Sequence, residues 1–328
     1  MTAEFAPLPQ PDASDGSPRR VGVEIEFGGL DESHAAAIAA DLLGGTVHDE
    51  GDATRTVSDS ALGKLEIYLD STWRKSRHEA VRTATETLGR DLIPVEIVTE
   101  PIPVSDLPQL SRLCDALREA GAEGTKAGLL NGFGLHYNIQ TASDADADIC
   151  RPLLAYALIE SWMRRARPID QSRAVLPFTD PYPTRLVRAL CDLGPDATRA
   201  DVQDAYLDHA PDRNYGLDML PVFATFDEQT VRDRMKSHKL SPRPAFHFRL
   251  PESRIDERDW SLADEWQRWV IVERVAADSD LLRRLIDGWK DEHGAVTLSR
   301  RAWATRCGDI LAEHGLMTDR DDAAGSAA

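Results

Sequence analysis

Four short stretches carry residue types fit for metal and phosphate chemistry. "VGVEIEFGG" sets Glu24 and Glu26 two apart, and "VEIVTEP" carries Glu96 and Glu100. "NGFGLHYNIQ" sets His136 and Asn138 two apart, and "AFHFRLPES" does the same with His247 and Arg249. In an extended chain, residues i and i+2 point to one face. Each stretch therefore reads as a strand aiming acids, imidazole, amide or guanidinium one way. Two carboxylates side by side repel unless a cation or water lies between them. Carboxylate oxygens are the hard ligands Mg²⁺ prefers, in sites that keep waters or substrate phosphates. A histidine among them also admits Mn²⁺ or Zn²⁺. An arginine such as Arg249 grips phosphate oxygens with two parallel hydrogen bonds. Taken singly, each pair also fits a solvated strand face, as do Glu66 and Glu100, and a lone histidine fits a structural role. A concave sheet converging all four stretches fits metal–nucleotide chemistry, and spacing alone goes no further.

The elements that must position these groups follow from periodicity. Residues 20–29 alternate and then reach two glycines, a strand followed by a turn. Residues 33–43 predict a helix, with Ser33 as its N-cap and a Gly-Gly stop. Strands are expected at 64–71, at 93–103 with prolines to end it, across "GLHYNIQ", and at 245–253. Helices are expected at 75–91, at 105–121, through most of 150–200, along an amphipathic segment at 258–289, and at 297–314. Trp260, Trp266 and Trp269 mark a buried or interfacial helical face. The loop "AVLPFTDPYPTR" fits either a lid or a packed connector. The expected fold is α+β, with a curved, mainly antiparallel sheet backed by helices.

The 328 residues, 42% hydrophobic, are enough for a real core. A formal net charge of -18 argues against nucleic-acid and anionic-membrane partners, because the long-range field repels phosphates. A small phosphorylated substrate stays compatible if a metal screens that charge locally. The four cysteines have no CxxC pair, which points away from a disulfide framework or zinc ribbon and toward a reducing cytoplasm. No apolar run reaches the roughly 20 residues of a membrane span. Residues 1–18 lack a signal-peptide pattern and read as a disordered leader, and residues 317–328 as a disordered tail. Residues 19–316 form the expected catalytic domain.

Together the motifs show a resemblance. "VGVEIEFGG", "NGFGLHYNIQ" and "FHFRLPES" resemble, in order, strands of the glutamine synthetase and glutamate–cysteine ligase superfamily. "VEIVTEPI" is similar to a strand of its carboxylate–amine ligase branch. The chain most resembles the bacterial amidoligase family, over roughly residues 20–275. The resemblance implies a fold like the glutamine synthetase catalytic domain and an ATP-dependent carboxylate–amine ligase working through an acyl phosphate. Its implied metal ligands are Glu24, Glu26, Glu96 and His136, holding Mg²⁺ or Mn²⁺ against ATP. Arg249 would stabilise the transferring phosphoryl group, Asn138 would line the pocket, and Arg213, in "DRNYGLDML", would contact nucleotide or substrate. Asp70 falls where the family carries an acid before a serine, and would help bind the amine.

His247 stands where the family usually has a glutamate ligand, which implies either an altered metal preference or a weakened site. The sequence reads without an obvious small N-terminal domain of the glutamine synthetase kind, which shifts the expectation toward the amidoligase branch and away from ammonia as the amine, with no ring-shaped assembly assumed. The implied partners are a small-molecule or peptide carboxylate and an amine. Two other readings use the same residues: a metal- and ATP-dependent phosphotransferase of the guanidino-kinase type, and a non-catalytic nucleotide-binding protein.

Overall fold

Alternating residues become a sheet only by hydrogen-bonding to a neighbouring strand, and here they find one. The structure is a computed structural model describing residues 4–69, 93–125, 132–170, 180–236, 240–293 and 300–317. Its strands are β1 (Arg20–Phe27), β2 (Thr46–Gly51), β3 (Thr54–Ser60), β4 (Gly63–Leu69), β5 (Val95–Thr99), β6 (Ile102–Pro103), β7 (Leu135–Gln140), β8 (Leu217–Asp218) and β9 (Ala245–Phe248). They form one open sheet in the order β2-β3-β4-β5-β1-β7-β9-β8, with β6 continuing beside β1 after the break at Pro101. All of these strand pairings are antiparallel.

The helices among the described residues are α1 (Glu32–Leu43), α2 (Leu107–Glu119), α3 (Asp146–Ala166), α4 (Thr184–Leu193), α5 (Arg199–His209), α6 (Leu220–Arg234), α7 (Leu262–Ala277), α8 (Ser279–Glu292) and α9 (Arg301–Glu313). The apolar sheet face packs against helices. Val21, Val23, Ile25 and Phe27 of β1 are fully buried, as are Leu135, Tyr137 and Ile139 of β7. Under β7 and β9, Tyr137 meets Trp266 edge-on and donates its hydroxyl to the Leu262 carbonyl, while Phe246 and Phe248 lie against Trp269. This packing fixes which way β1, β7 and β9 face, and so aims their alternate residues at the opposite surface.

The structure corrects several expectations. Residues 4–18 do not form a disordered leader. Leu8 is buried, the Ala6 carbonyl accepts from Trp266, and the Gln10 carbonyl accepts from Arg19. Apolar residues spaced between prolines give this segment enough buried surface to hold it. The cap of α1 is Asp31 rather than Ser33, because its carboxylate accepts the His34 amide. The segment 258–289 is two helices, since Asp278 ends α7 and caps α8 through the Asp280 and Leu281 amides. The hairpin β2–β3, the two-residue β8 and helix α6 add to the expected elements. The predicted helix at 75–91 and the tail from 318 onward lie outside the described residues. The described end of the proline-rich loop is a packed connector, with Tyr182 fully buried and its hydroxyl on the Leu217 carbonyl. All four cysteines are free and buried. Among the described residues no helix is long and apolar enough to cross a membrane.

Candidate active site

Register does the assembling. Glu24 of β1 sits opposite His136 of β7, and Gly22 sits opposite Asn138. Asn138 in turn faces His247 of β9, and His247 faces Asp218 of β8. Directly paired residues point to the same side of a sheet. Five polar side chains from four strands thus share the face opposite the core.

The groups touch. His136 Nδ1 lies 2.8 Å from Glu24 Oε2, and Asn138 Nδ2 donates to Glu24 Oε1 at 2.7 Å. Arg243 donates from Nε and Nη2 to Asn138 Oδ1 at 3.1 and 2.6 Å. On the far side, His247 Nδ1 lies 3.3 Å from Asp218 Oδ2, which also accepts from Arg213 Nε at 3.0 Å. The two imidazoles meet edge-on with centroids 5.4 Å apart. His247 Nε2 is buried with no hydrogen-bond partner and lies 3.9 Å from Glu24 Oε2. Ligand atoms of Glu24, His136 and His247 all lie within 4.8 Å of one another.

Electrostatics sets the protonation. Burial works against charge on Glu24, but the His136 hydrogen bond, the nearby imidazoles and the Asn138 amide hold its carboxyl well below the usual range. Asp218 is likewise buried, and His247 and Arg213 keep it below its ordinary value. Burial pushes the His247 imidazole down to about 4, despite Asp218 and Glu24 nearby. His247 is therefore neutral at pH 7. An ionised carboxylate only accepts, so Nδ1 carries the proton and Nε2 presents a lone pair. Burial also lowers Arg243 and Arg249, though a guanidinium stays charged. Three arginines, 213, 243 and 249, thus lie close enough to repel one another, a local positive patch in an acidic chain.

Of the five expected metal ligands, the structure brings Glu24, His136 and His247 together. Glu26 and Glu96 oppose each other across β1 and β5, but do not join that cluster. Glu26 Oε2 accepts the Gly134 amide at 2.7 Å, and Glu96 is buried. Asn138 lies on the site face as expected, braced between Glu24 and Arg243. Arg249 follows β9 directly, half-buried, with Nη1 on the Arg213 carbonyl. Arg213 is present through its ion pair with Asp218. Asp70 lies outside the described residues. Sequence reasoning missed Asp218 and Arg243. The first lies in "DRNYGLDML", five residues after Arg213, on a strand too short to show a period, and nothing in "SPRPAF" marked the second.

An open antiparallel sheet backed by helices, with an imidazole–carboxylate–guanidinium cluster on its polar face, defines the chain as an α+β protein. The chain belongs to the amidoligase family: the family model described as "Putative amidoligase enzyme" matches residues 17–271, which include every site residue placed above. No curated protein matches the chain. Membership supports an amide-bond-forming ligase in general.

Proposed function

We propose that the protein is an ATP-dependent carboxylate–amine ligase that forms an amide through an acyl phosphate. The observation that carries this reading is the single polar row in which Glu24, His136 and His247 adjoin Arg213, Arg243 and Arg249. Such a row pairs a cation site with guanidinium groups, the two features that neutralise a transferring phosphoryl group. The orphaned Nε2 of His247 and the donor set around it fit a divalent metal. Glu24, His136 and His247 would hold it. A bound divalent ion would screen the phosphate oxygens and let an acidic protein accept a nucleotide.

A carboxylate oxygen of the acid substrate attacks the γ-phosphorus of ATP, its O–P bond forming as the bond to ADP breaks. The amine lone pair then attacks the acyl carbon, the C–O bond to phosphate breaks, and the amine loses a proton to solvent or the departing phosphate. Arg249 and Arg243 stabilise the transferring charge, and Asn138 holds Glu24 in its ligating orientation. Asp70 is assigned to the amine by resemblance.

Calorimetric titration with ATP, with and without Mg²⁺ or Mn²⁺, tests the reading. Wild-type protein is expected to bind only with metal, and Glu24→Gln to weaken binding at least about 10-fold. Phosphate release requiring both an acid and an amine would complete the case. Absence of nucleotide binding under every metal condition would overturn it. Binding without such release would leave a nucleotide-binding protein on the same fold.

A further inference from the structure

The donor set is richer in nitrogen than a magnesium site needs. Mg²⁺ takes oxygen ligands in near-ideal octahedra and is bound through one or two carboxylates with waters and phosphates. Imidazole suits zinc and its first-row neighbours. Here two of the three clustered ligands are imidazoles, and both are buried. We propose that Glu24, His136 and His247 form a cation site selective for a late first-row divalent metal of the Zn²⁺ or Co²⁺ kind over Mg²⁺, with Asp218 as the positioning residue for His247.

Two independent observations carry it. The first is His247 Nε2, buried, unpartnered and facing Glu24. A buried acceptor without a partner is costly, and a metal ion is a partner that would tie it to the Glu24 carboxylate it faces. The second is the Asp218–His247 contact at 3.3 Å. A carboxylate behind an imidazole fixes its tautomer and ring orientation and raises its basicity, as in zinc sites where a second carboxylate backs the ligating histidine. Asp218 is fully buried and ion-paired to Arg213, so this backing is rigid. Glu24 Oε2 lies 3.9 Å from His247 Nε2, a gap that an ion with metal–ligand bonds of about 2.0–2.1 Å would span. The inference rests on the ligase reading in assigning this face to a metal, and deepens it by naming the cation class.

The test uses the full chain, stripped of metal and without nucleotide. Zn²⁺, Co²⁺ and Mg²⁺ are titrated separately, and the visible absorption of bound cobalt is recorded. The expected result is one Zn²⁺ or Co²⁺ per chain, bound at least about 100-fold more tightly than Mg²⁺, with the intense cobalt bands of low coordination number. His247→Glu should shift the Zn²⁺-to-Mg²⁺ preference toward Mg²⁺ by about 10-fold or more, and His247→Phe should lose the cobalt spectrum. Equal affinity of the wild type for Zn²⁺ and Mg²⁺ would overturn the proposal, even if neither variant folds. So would an unchanged cobalt spectrum in folded His247→Phe. A parallel ATP titration separates the two readings. Selective Zn²⁺ binding without nucleotide binding sinks the ligase and leaves this site. Nucleotide binding with Mg²⁺ and no Zn²⁺ selectivity does the reverse.

Discussion

Asp218 shows how much one carboxylate can organise. Its Oδ2 serves His247 and Arg213, and its Oδ1 accepts the Leu220 amide at 3.1 Å. Asp218→Asn cannot serve all three, because either orientation of the amide sets a donor against a donor. The variant is expected to lose roughly 10- to 100-fold in metal affinity and to melt at lower temperature, since Arg213 keeps its charge without its partner. Metal titration and thermal unfolding of the same preparation check both halves, and unchanged metal affinity would remove Asp218 from the site. Glu24, His136 and His247 were legible in the sequence because each sits in a strand long enough to alternate. Asp218 was not, because β8 has two residues and two residues show no period. Arg243 was not, because flanking prolines make its stretch read as a bare connector.

At the scale of elements, the turn after β1 depends on glycine. Gly29 has φ of +79°, and a Cβ there would lie 2.4 Å from the Gly121 carbonyl oxygen. Positive φ costs an L-residue about 1–2 kcal/mol, and the clash adds to it. Gly29→Ala should therefore lose more than about 2 kcal/mol in urea unfolding, and a loss below about 0.5 kcal/mol would mean the turn relaxes freely. At the far end of α8, His293 stacks on Trp289 at 4.2 Å and hydrogen-bonds its carbonyl through Nδ1. Burial, with Arg300 and Arg188 nearby, lowers its pKa below the ordinary 6.5. The unfolded chain then binds the extra proton first, so this contribution is present above pH 6.5 and is lost as pH falls through the lower folded value. Compared with His293→Phe, the wild type should lose melting temperature more steeply on acidification below pH 6.5, and parallel curves would exclude the effect. Strands β1, β4, β5 and β7 were readable because one face is apolar and the other polar. The β2–β3 hairpin was not, since every residue of β2 is exposed and nothing there alternates. The break between α7 and α8 was hidden because both helices bury apolar residues, so hydropathy runs on through Asp278.

Across the whole molecule, a buried pair helps tie the N-terminal segment to the helical layer, beside the Trp266–Ala6 hydrogen bond. Arg19 donates to both oxygens of Glu273 at 2.7 and 2.8 Å, and Trp269 Nε1 donates to the same carboxylate. Arg19 also reaches the Gln140 and Gln10 carbonyls. Removing one partner of a buried pair costs about 3–5 kcal/mol, whereas replacing both with apolar groups is often near neutral. Arg19→Met and Glu273→Leu should each destabilise by about that amount, and the double variant should recover most of the loss. Additive losses in denaturant unfolding would count against the pairing. No composition rule reveals this tether, because its partners lie 254 residues apart.

The same separation in sequence shapes the site. Glu24 and His136 come from the middle of the sheet, while His247 and Asp218 come from its last two strands, the outermost of them two residues long. Short, outer strands open at lower free energy than central ones. Opening of β9 and β8 alone would remove His247, one of the three proposed ligands, together with the carboxylate that backs it, and an ion bridging Glu24 to His247 would act as a rivet closing that seam.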